Sequence, residues 1–234
     1  MNYQKEFIKK FNEISAGYNS YTIWSDFIIM SACSIRNALP VGDKEKYEEE
    51  YLTHVKHFEH PEKIAELFGL TVLAIEENPD QDFLGNIFTR LKLNDSKLGQ
   101  TFTPYHISKL MAKMNCIKQV EESWISICDP CVGAGSMLIA AANVYKEMGI
   151  NYQTSVFFVG QDINRILALT AYVQLSLLGC AGYVIVGNSL TNSINGSVLS
   201  PVIDTEAEIW YTPMYFRNVW QYRRLYSQTL KEEL

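Results

Sequence analysis

Apolar positions recur at helical spacing through the first hundred residues. Phe7, Phe11 and Ile14 fall on one helical face, and the same period continues after Ser25, which we expect to be an N-cap. Pro61 opens a further apolar helix. After the first helix, the pattern predicts helices over residues 25–39, 42–58, 61–77 and 81–91. No strand pattern of convincing length precedes residue 120, so this part of the chain is predicted to be helical.

From about residue 121 short apolar runs take over, each ending in a polar residue or a Gly/Pro turn. The runs read WISICDP, SVFFVGQD, GYVIVGNS and AEIWYTP. Helical stretches closed by Gly separate the first three runs. This alternation predicts an α/β fold, in which helices cover a parallel sheet and ligands bind at the carboxyl ends of the strands. We therefore divide the chain into a helical domain, 1–97, and a sheet domain, 98–234.

Composition and charge narrow the class of protein. A hydrophobic fraction of 47% and a charged fraction of 20% over 234 residues are typical of a folded globular protein. The net charge of −6 lacks the basic footprint of a stand-alone DNA-binding protein, so DNA binding needs a local basic patch or a basic partner. No apolar run approaches the roughly 20 residues of a membrane span, and the amino terminus lacks a signal-peptide core. We expect a cytoplasmic protein with five free cysteines.

Two patterns raise the question of a metal site. Cys128 and Cys131 form a CxxC, but no second pair accompanies it, so we expect neither a metal nor a redox role. His54, His57 and His60 stand three apart on a charged helix. This spacing drifts around the helix, so a solvated face is the preferred interpretation. No metal site is predicted.

The first predicted strand runs into a glycine-rich turn before a helix. Asp129, Gly133 and Gly135 occupy this turn, where glycines allow a ligand to approach the backbone and helix N–H groups point towards it. The G-x-G alone is a weak signal, because many α/β proteins use glycines only to make the turn. It also differs from the dinucleotide-binding pattern, since Met137 and Leu138 stand where a third Gly would be.

Polar residues also end the second and third predicted strands. Asp162 follows the second, where a carboxylate can accept hydrogen bonds from both hydroxyls of a ribose, and Ile163 would then face a flat base. The alternative is that Asp162 caps the helix starting at Asn164. Asn188 and Ser189 follow the third strand, and an Asn side chain can both donate to and accept from an adenine edge.

One further candidate precedes the first strand. Thr103 and Pro104 make a good helix start, which is the plain interpretation. The functional interpretation is that Thr103 and nearby backbone N–H groups bind a carboxylate.

Four stretches in this order resemble the adenine-N6 DNA methyltransferases: GQTFTPYHISKLM, DPCVGAGSMLI, GQDIN and GNSL. They are most similar to the modification subunit of type I restriction systems, whose pattern is G-x-F-x-TP, DP-x-x-G-x-G-x-x-L and G-x-[DE]-x-[ND]. The resemblance covers residues 80 to 216, and four motifs in register are far more specific than any one of them.

The resemblance implies S-adenosylmethionine as the cofactor. Asp162 would hold its ribose, Ile163 would pack on its adenine, and Asn188 would meet the adenine edge. The residues implied at the methionine end are Thr103, Pro104, Asp129, Gly133 and Gly135. The residues assigned to the cofactor in this way are Thr103, Pro104, Asp129, Pro130, Gly133, Gly135, Asp162, Ile163, Asn188 and Ser189.

The same resemblance assigns the catalytic turn. The family's fourth strand ends in Asn-Pro-Pro-Tyr or Asn-Pro-Pro-Phe, which binds the amino group of a flipped adenine and stacks on the base. Here the turn reads Thr212-Pro213-Met214-Tyr215, so Thr212, Pro213 and Tyr215 are the predicted catalytic residues. Thr212 replaces an amide with a hydroxyl and Met214 removes a ring, and a lost hydrogen bond of this kind costs on the order of 10²–10³ in rate.

Three functions follow. The first is a DNA adenine-N6 methyltransferase that is weak or depends on a partner, with DNA as its substrate and a specificity or partner subunit for recognition. The second is an inactive subunit that binds S-adenosylmethionine or DNA, and the third is a methyltransferase with another acceptor.

The sheet is expected to be truncated, because the sequence continues for only 18 residues after Phe216. Those residues predict one amphipathic helix, whose arginines and tyrosines contact either nucleic acid or, as we prefer, solvent. The oligomeric state stays open.

Overall fold

The computed structural model describes residues 2–39, 44–93, 102–116, 124–191, 195–202 and 207–232, with side chains of the last range described to residue 227. The first two ranges form helices. Their bounds are α1 Tyr3–Ile14, α2 Ser20–Asn37, α3 Lys44–Val55, α4 Glu62–Glu77 and α5 Phe83–Arg90. The predicted helical part is confirmed over these residues.

Side-chain caps explain where these helices begin. Asn2 and Asn19 accept backbone N–H bonds at the starts of α1 and α2, and Asp82 does so at the start of α5. The prediction that Ser25 is an N-cap is therefore wrong, because α2 begins five residues earlier. Ser25 lies inside α2 and donates its hydroxyl to the carbonyl of Tyr21.

The remaining ranges build an α/β unit. Its elements are α6 Tyr105–Asn115, β1 Ile125–Asp129, α7 Ser136–Glu147, α8 Tyr152–Ser155, β2 Val156–Asp162, α9 Arg165–Leu177, β3 Ala181–Val186, β4 Asn195–Ser197, β5 Ser200–Val202, β6 Glu208–Tyr211 and α10 Asn218–Glu232. A 3-10 turn, Pro213–Phe216, joins the last two. The hairpin of β4 and β5 was not predicted.

The main sheet is mixed. Its order is β1-β2-β3-β6, and β1, β2 and β3 are parallel as predicted. β6 is antiparallel to β3, with Glu208 beside Val186 and Tyr211 beside Tyr183. The carboxyl end of β6 therefore lies at the amino end of β3. The expectation of a fully parallel sheet is corrected at this one strand.

The two expected domains share one hydrophobic cluster. It joins Phe27 and Phe83 of the first helices to Leu138 of α7 and Tyr172 of α9. A buried polar contact crosses the same junction, because the Gln174 side chain accepts from the N–H of Leu84 at 3.0 Å. The predicted boundary at residue 97 lies outside the described residues, and the domain division stays a prediction.

A second cluster covers the other face of the sheet. It contains Phe157, Tyr183, Tyr215 and Trp220, so the 3-10 turn and α10 fold back onto this face. None of the helices within the described ranges is both long and apolar enough to cross a membrane.

Candidate functional site

The turn between β1 and α7 depends on two glycines. Gly133 and Gly135 have φ angles of +55° and +99°, and Gly135 is the N-cap residue of α7. A Cβ on Gly135 would lie 3.3 Å from the Cα of Ala171 in α9. The second glycine therefore provides both a left-handed backbone and a close approach between α9 and the turn.

Asp162 holds this turn from the neighbouring strand. Its Oδ2 atom accepts the N–H of Gly133 at 2.8 Å, and its Oδ1 atom accepts the N–H of Asn164 at 2.8 Å. The side chain that caps α9 is Asn164, which accepts from the N–H of Leu167 at 3.2 Å. Asn164, and not Asp162, is thus the N-cap of α9, and the Asp162 carboxylate faces the glycine turn.

A cavity opens where β1 and β2 end. It brings together four of the predicted cofactor residues, Thr103, Asp129, Gly133 and Asp162. Its volume is ≈ 190 Å³, and an adjoining cavity of ≈ 440 Å³ shares Thr103 and Asp129 and adds Pro130. The two together fall within the roughly 300–1,000 Å³ of small-molecule sites.

The charges around this cavity have both signs. Burial raises the pKa of Asp129, and the nearby Asp162 carboxylate raises it further, against the N–H bond that Asp129 accepts from Cys131 at 3.1 Å. Two carboxylates in one cleft favour a bound cation. The amino terminus of α7, whose Ser136 and Met137 line the same cavity, favours an anion. The cavity therefore suits a ligand that carries both charges.

The other predicted cofactor residues lie around the rim. Ile163 follows Asp162 with 71% of its surface exposed, which leaves an apolar side chain open at this edge. Asn188 and Ser189 follow β3 at the same end of the sheet but do not line the cavity, and Asn188 accepts the N–H of Leu190 at 3.0 Å. Pro104 is the N-cap residue of α6 and also stays outside the lining.

The catalytic turn is the main correction, because Thr212 lies at the opposite end of the sheet. Its side chain is 1% exposed. The hydroxyl donates to the carbonyl of Cys180 at 2.7 Å and accepts the N–H of Gly182 at 3.1 Å. Both partners belong to the amino end of β3, so the antiparallel β6 carries Thr212 away from Asp129 and Asp162.

The rest of the turn is closed as well. Tyr215 is 8% exposed, and its hydroxyl donates to the carbonyl of Leu199 at 2.9 Å. The Arg224 guanidinium lies 3.9 Å from its ring centroid, and the Tyr211 ring lies 4.4 Å away. Pro213 is the first residue of the 3-10 turn that contains Tyr215. The structure does not bring Thr212, Pro213 and Tyr215 to the cavity at the ends of β1 and β2, and the Tyr215 ring is already covered.

Sequence reasoning assigned no role to two residues at the site. Phe102 lies in the cavity lining, and its ring would be 3.6 Å from a Cβ on Gly133. Gln174 of α9 donates to the Asp82 carboxylate and to the Ala134 carbonyl, both at 2.8 Å, and so ties the glycine turn to α5. The position of Phe102 beside Thr103 was a usable signal. Gln174 gave none, because its partners are distant in sequence.

Sequence comparisons find a matching family and a related protein. The family described as N-6 DNA Methylase matches residues 80–226. The methylase subunit of the type I restriction enzyme MjaVII from Methanocaldococcus jannaschii is 30% identical over 99 residues, which are 41% of this chain and 16% of the relative. The chain thus matches about a sixth of that protein's length.

One solved structure is also similar. It is assigned to the class I S-adenosylmethionine-dependent methyltransferases and comes from Listeria monocytogenes. The match has a TM-score of 0.43 and 15% identity, and it covers 84% of this chain and 57% of that one.

Proposed function

The chain belongs to the N-6 DNA methylase family, and from that premise we propose that it binds S-adenosylmethionine in the cavity at the ends of β1 and β2. The observation that carries the proposal is the meeting of Asp129, Gly133 and Asp162 around one cleft. This ligand has a zwitterionic amino-acid end and a positive sulfur, so it matches a cleft with two carboxylates and a helix amino terminus.

Each residue has a distinct role in this proposal. The amino terminus of α7 and Thr103 bind the carboxylate of the methionine end, while Asp129 attracts its ammonium group and the sulfonium. Asp162 keeps unused lone pairs after its two backbone bonds, and these accept from the ribose hydroxyls. Ile163 covers the adenine, and Asn188 and Ser189 lie towards its edge. The cofactor supplies a methyl group on a positively charged sulfur.

The acceptor is proposed to be adenine in DNA, as the family description and the relative's name imply. Within the described residues the Thr212 turn is closed and distant from the cavity. We therefore favour a cofactor-binding subunit, in which a partner chain or a further segment supplies the base-binding groups and DNA recognition. The net charge of −6 supports a basic partner. A cytoplasmic location remains part of the proposal.

Calorimetry tests cofactor binding. We expect the wild type to bind S-adenosylmethionine, and Asp162→Ala to bind it about 10–100-fold more weakly, since charge-assisted hydrogen bonds are worth about 1.5–3 kcal/mol each. Glu59→Ala, which removes an exposed carboxylate in the helical part, serves as the matched control and should bind normally. Absence of wild-type binding at millimolar cofactor would overturn the proposal.

Radiolabelled methyl transfer to unmethylated DNA tests the partner requirement. We expect no transfer by the chain alone. The double variant Thr212→Asn with Met214→Pro should also be silent, because a restored tetrapeptide would still lie at the wrong end of the sheet. Transfer by the wild type alone, or a gain of transfer in the double variant, contradicts this part of the proposal.

A further inference from the structure

A cluster outside the cofactor cavity joins α2 to α3. Asp26 of α2 is 3% exposed, and its carboxylate meets two imidazoles. The Nδ1 atom of His54 lies 2.6 Å from Oδ1, and the Nδ1 atom of His57 lies 3.1 Å from Oδ2. The expectation of a solvated histidine face is therefore wrong for His54, whose side chain is mostly covered. It holds for the exposed His57, which still reaches Asp26, and for His60, which is exposed and contacts Glu62.

Three potential metal ligands converge here. One ligand atom from each of Asp26, His54 and His57 lies within 4.8 Å of the others. Tetrahedral coordination with bonds of about 2.0–2.2 Å separates its ligand atoms by roughly 3.3 Å, so small side-chain rotations suffice to admit an ion. The helix turn after α3 brings His57 onto the same side as His54, which the i, i+3 spacing on an ideal helix does not guarantee.

The polarity of the cluster also calls for a cation. Within the described residues, Asp26 forms ion pairs with two histidines, His54 and His57. A buried carboxylate is a negative charge away from water, and a positive partner stabilises it. Two imidazole nitrogens and one carboxylate oxygen are the donor set of zinc and its first-row neighbours, rather than of calcium or magnesium, which prefer several oxygens.

We propose that Asp26, His54 and His57 bind one divalent transition-metal ion, of which Zn²⁺ is the expected type. The His57 side chain is 49% exposed and that of Asp26 is 4% exposed. The ion therefore sits at the surface end of a buried carboxylate, with its remaining coordination position open to water.

A bound metal ion would link α2 to α3. Among its described side chains α3 fully buries only Tyr47, while Tyr51 and Val55 pack against the core and stay partly exposed. Tyr47 contacts Trp210 of β6, and Glu50 of α3 pairs with Arg165 of α9 at 2.8 Å. A metal ion between α2 and α3 would add a link at the carboxyl-terminal end of α3, where Val55 is only partly buried.

Titration of untagged, metal-free protein with Zn²⁺ and Co²⁺ tests the site. We expect one equivalent to bind, with visible absorption of the Co²⁺ form typical of nitrogen and oxygen ligands. His57→Ala should bind at least about tenfold more weakly, since even residues that only orient a ligand are worth 10–100-fold. Because its side chain is half exposed, this variant should fold, and Asp26→Asn provides a second, nearly isosteric test.

Two controls make the result specific. His60→Ala removes a nearby exposed histidine and should bind as the wild type does. Cys128→Ser with Cys131→Ser removes the exposed CxxC and should also leave the binding unchanged. Zn²⁺ should raise the melting temperature of the wild type and of both controls, and not that of His57→Ala. Absence of binding at millimolar metal, loss of binding in the cysteine variant, or retention of it in His57→Ala overturns the proposal.

Discussion

The two ends of the main sheet differ sharply although each carries a turn that the sequence marks as functional. At the carboxyl ends of β1 and β2, Asp129 and Asp162 face an open cleft with backbone N–H groups around it. At the amino end of β3, the Thr212 hydroxyl and the Tyr215 ring are buried and bonded within the fold. The first end, with Asp129 and Asp162, has room for a ligand and is called the open end. The second, with Thr212 and Tyr215, is filled by the protein itself and is called the closed end.

Strand direction is the cause of this difference. A turn after a parallel strand would reach the end of the sheet that carries the cavity, whereas the turn after the antiparallel β6 reaches the other end. Once there, Thr212 has a structural use, because its short hydroxyl fits between the backbone of Cys180 and Gly182. Thr212 stands where the family has a catalytic Asn, and its hydrogen bonds to buried backbone groups explain its presence there.

The largest expected loss of stability comes from a substitution at Gly182, which lies at the closed end. Its φ is +152°, and a Cβ there would lie 1.8 Å from the carbonyl oxygen of Phe158. Gly182→Ala should cost roughly 4 kcal/mol or more of the free energy of unfolding, in the range of severe core lesions. Chemical denaturation measures this loss.

Gly69→Ala is the matched control for that change. Gly69 lies in α4, and a Cβ added to it would meet no neighbouring atom within 4 Å. Alanine is the better helix former, so this variant should be unchanged or more stable by up to about 1 kcal/mol. Equal losses in the two variants would mean that Gly182 is not specially constrained.

A second effect concerns Asp82, whose carboxylate meets the glutamine that holds the glycine turn. Burial raises the pKa of Asp82 to about 6, against hydrogen bonds from Gln174 and Gly85. Because the folded pKa lies above the unfolded value of 3.8, its contribution to stability is complete below pH 3.8 and is lost as the pH rises through 6. Two pKa units correspond to about 3 kcal/mol.

Asp82→Asn tests that linkage. Denaturation between pH 4 and pH 8 should give a shallower pH dependence for the variant. The wild type and the variant should therefore diverge as the pH rises through the interval given by the two pKa values. Parallel curves for the two proteins would contradict a raised pKa for this group.

Thr212→Val should have a smaller effect, confined to stability. The substitution keeps the shape but removes the hydroxyl, and it leaves the buried N–H of Gly182 and carbonyl of Cys180 short of a partner. The expected loss is about 1–3 kcal/mol, with cofactor affinity unchanged. Thr212→Ser retains the hydroxyl and should lose less. A change in cofactor affinity in Thr212→Val without a loss of stability would restore the catalytic interpretation.

The smallest effect is on the open end. Because burial and Asp162 raise the pKa of Asp129, acidification should protonate it early and weaken the binding of a cationic ligand. S-adenosylmethionine affinity, measured by calorimetry across pH, should fall as the pH decreases. In Asp129→Asn the affinity should be lower at neutral pH and should depend less on pH. An unchanged pH profile in this variant would exclude Asp129 from the cation site.

The sequence predicted the open end better than the closed one for a physical reason. Gly133, Asp129 and Asp162 follow strands whose parallel order is dictated by the intervening helices, so local patterns were sufficient. No helix separates β3 from β6 within the described residues, so either direction was available to β6 and the pattern could not choose. Gln174 and the histidine contacts of Asp26 depend on residues distant in sequence, which periodicity does not report.

The most direct test of the separation between the two ends is an amide chemical-shift map on addition of S-adenosylmethionine. We predict large shifts at Gly133, Asp162 and Ile163, and none beyond the general drift at Thr212, Met214 and Tyr215. Shifts of similar size at the Thr212 turn would contradict the account, because they would place that turn beside the bound cofactor.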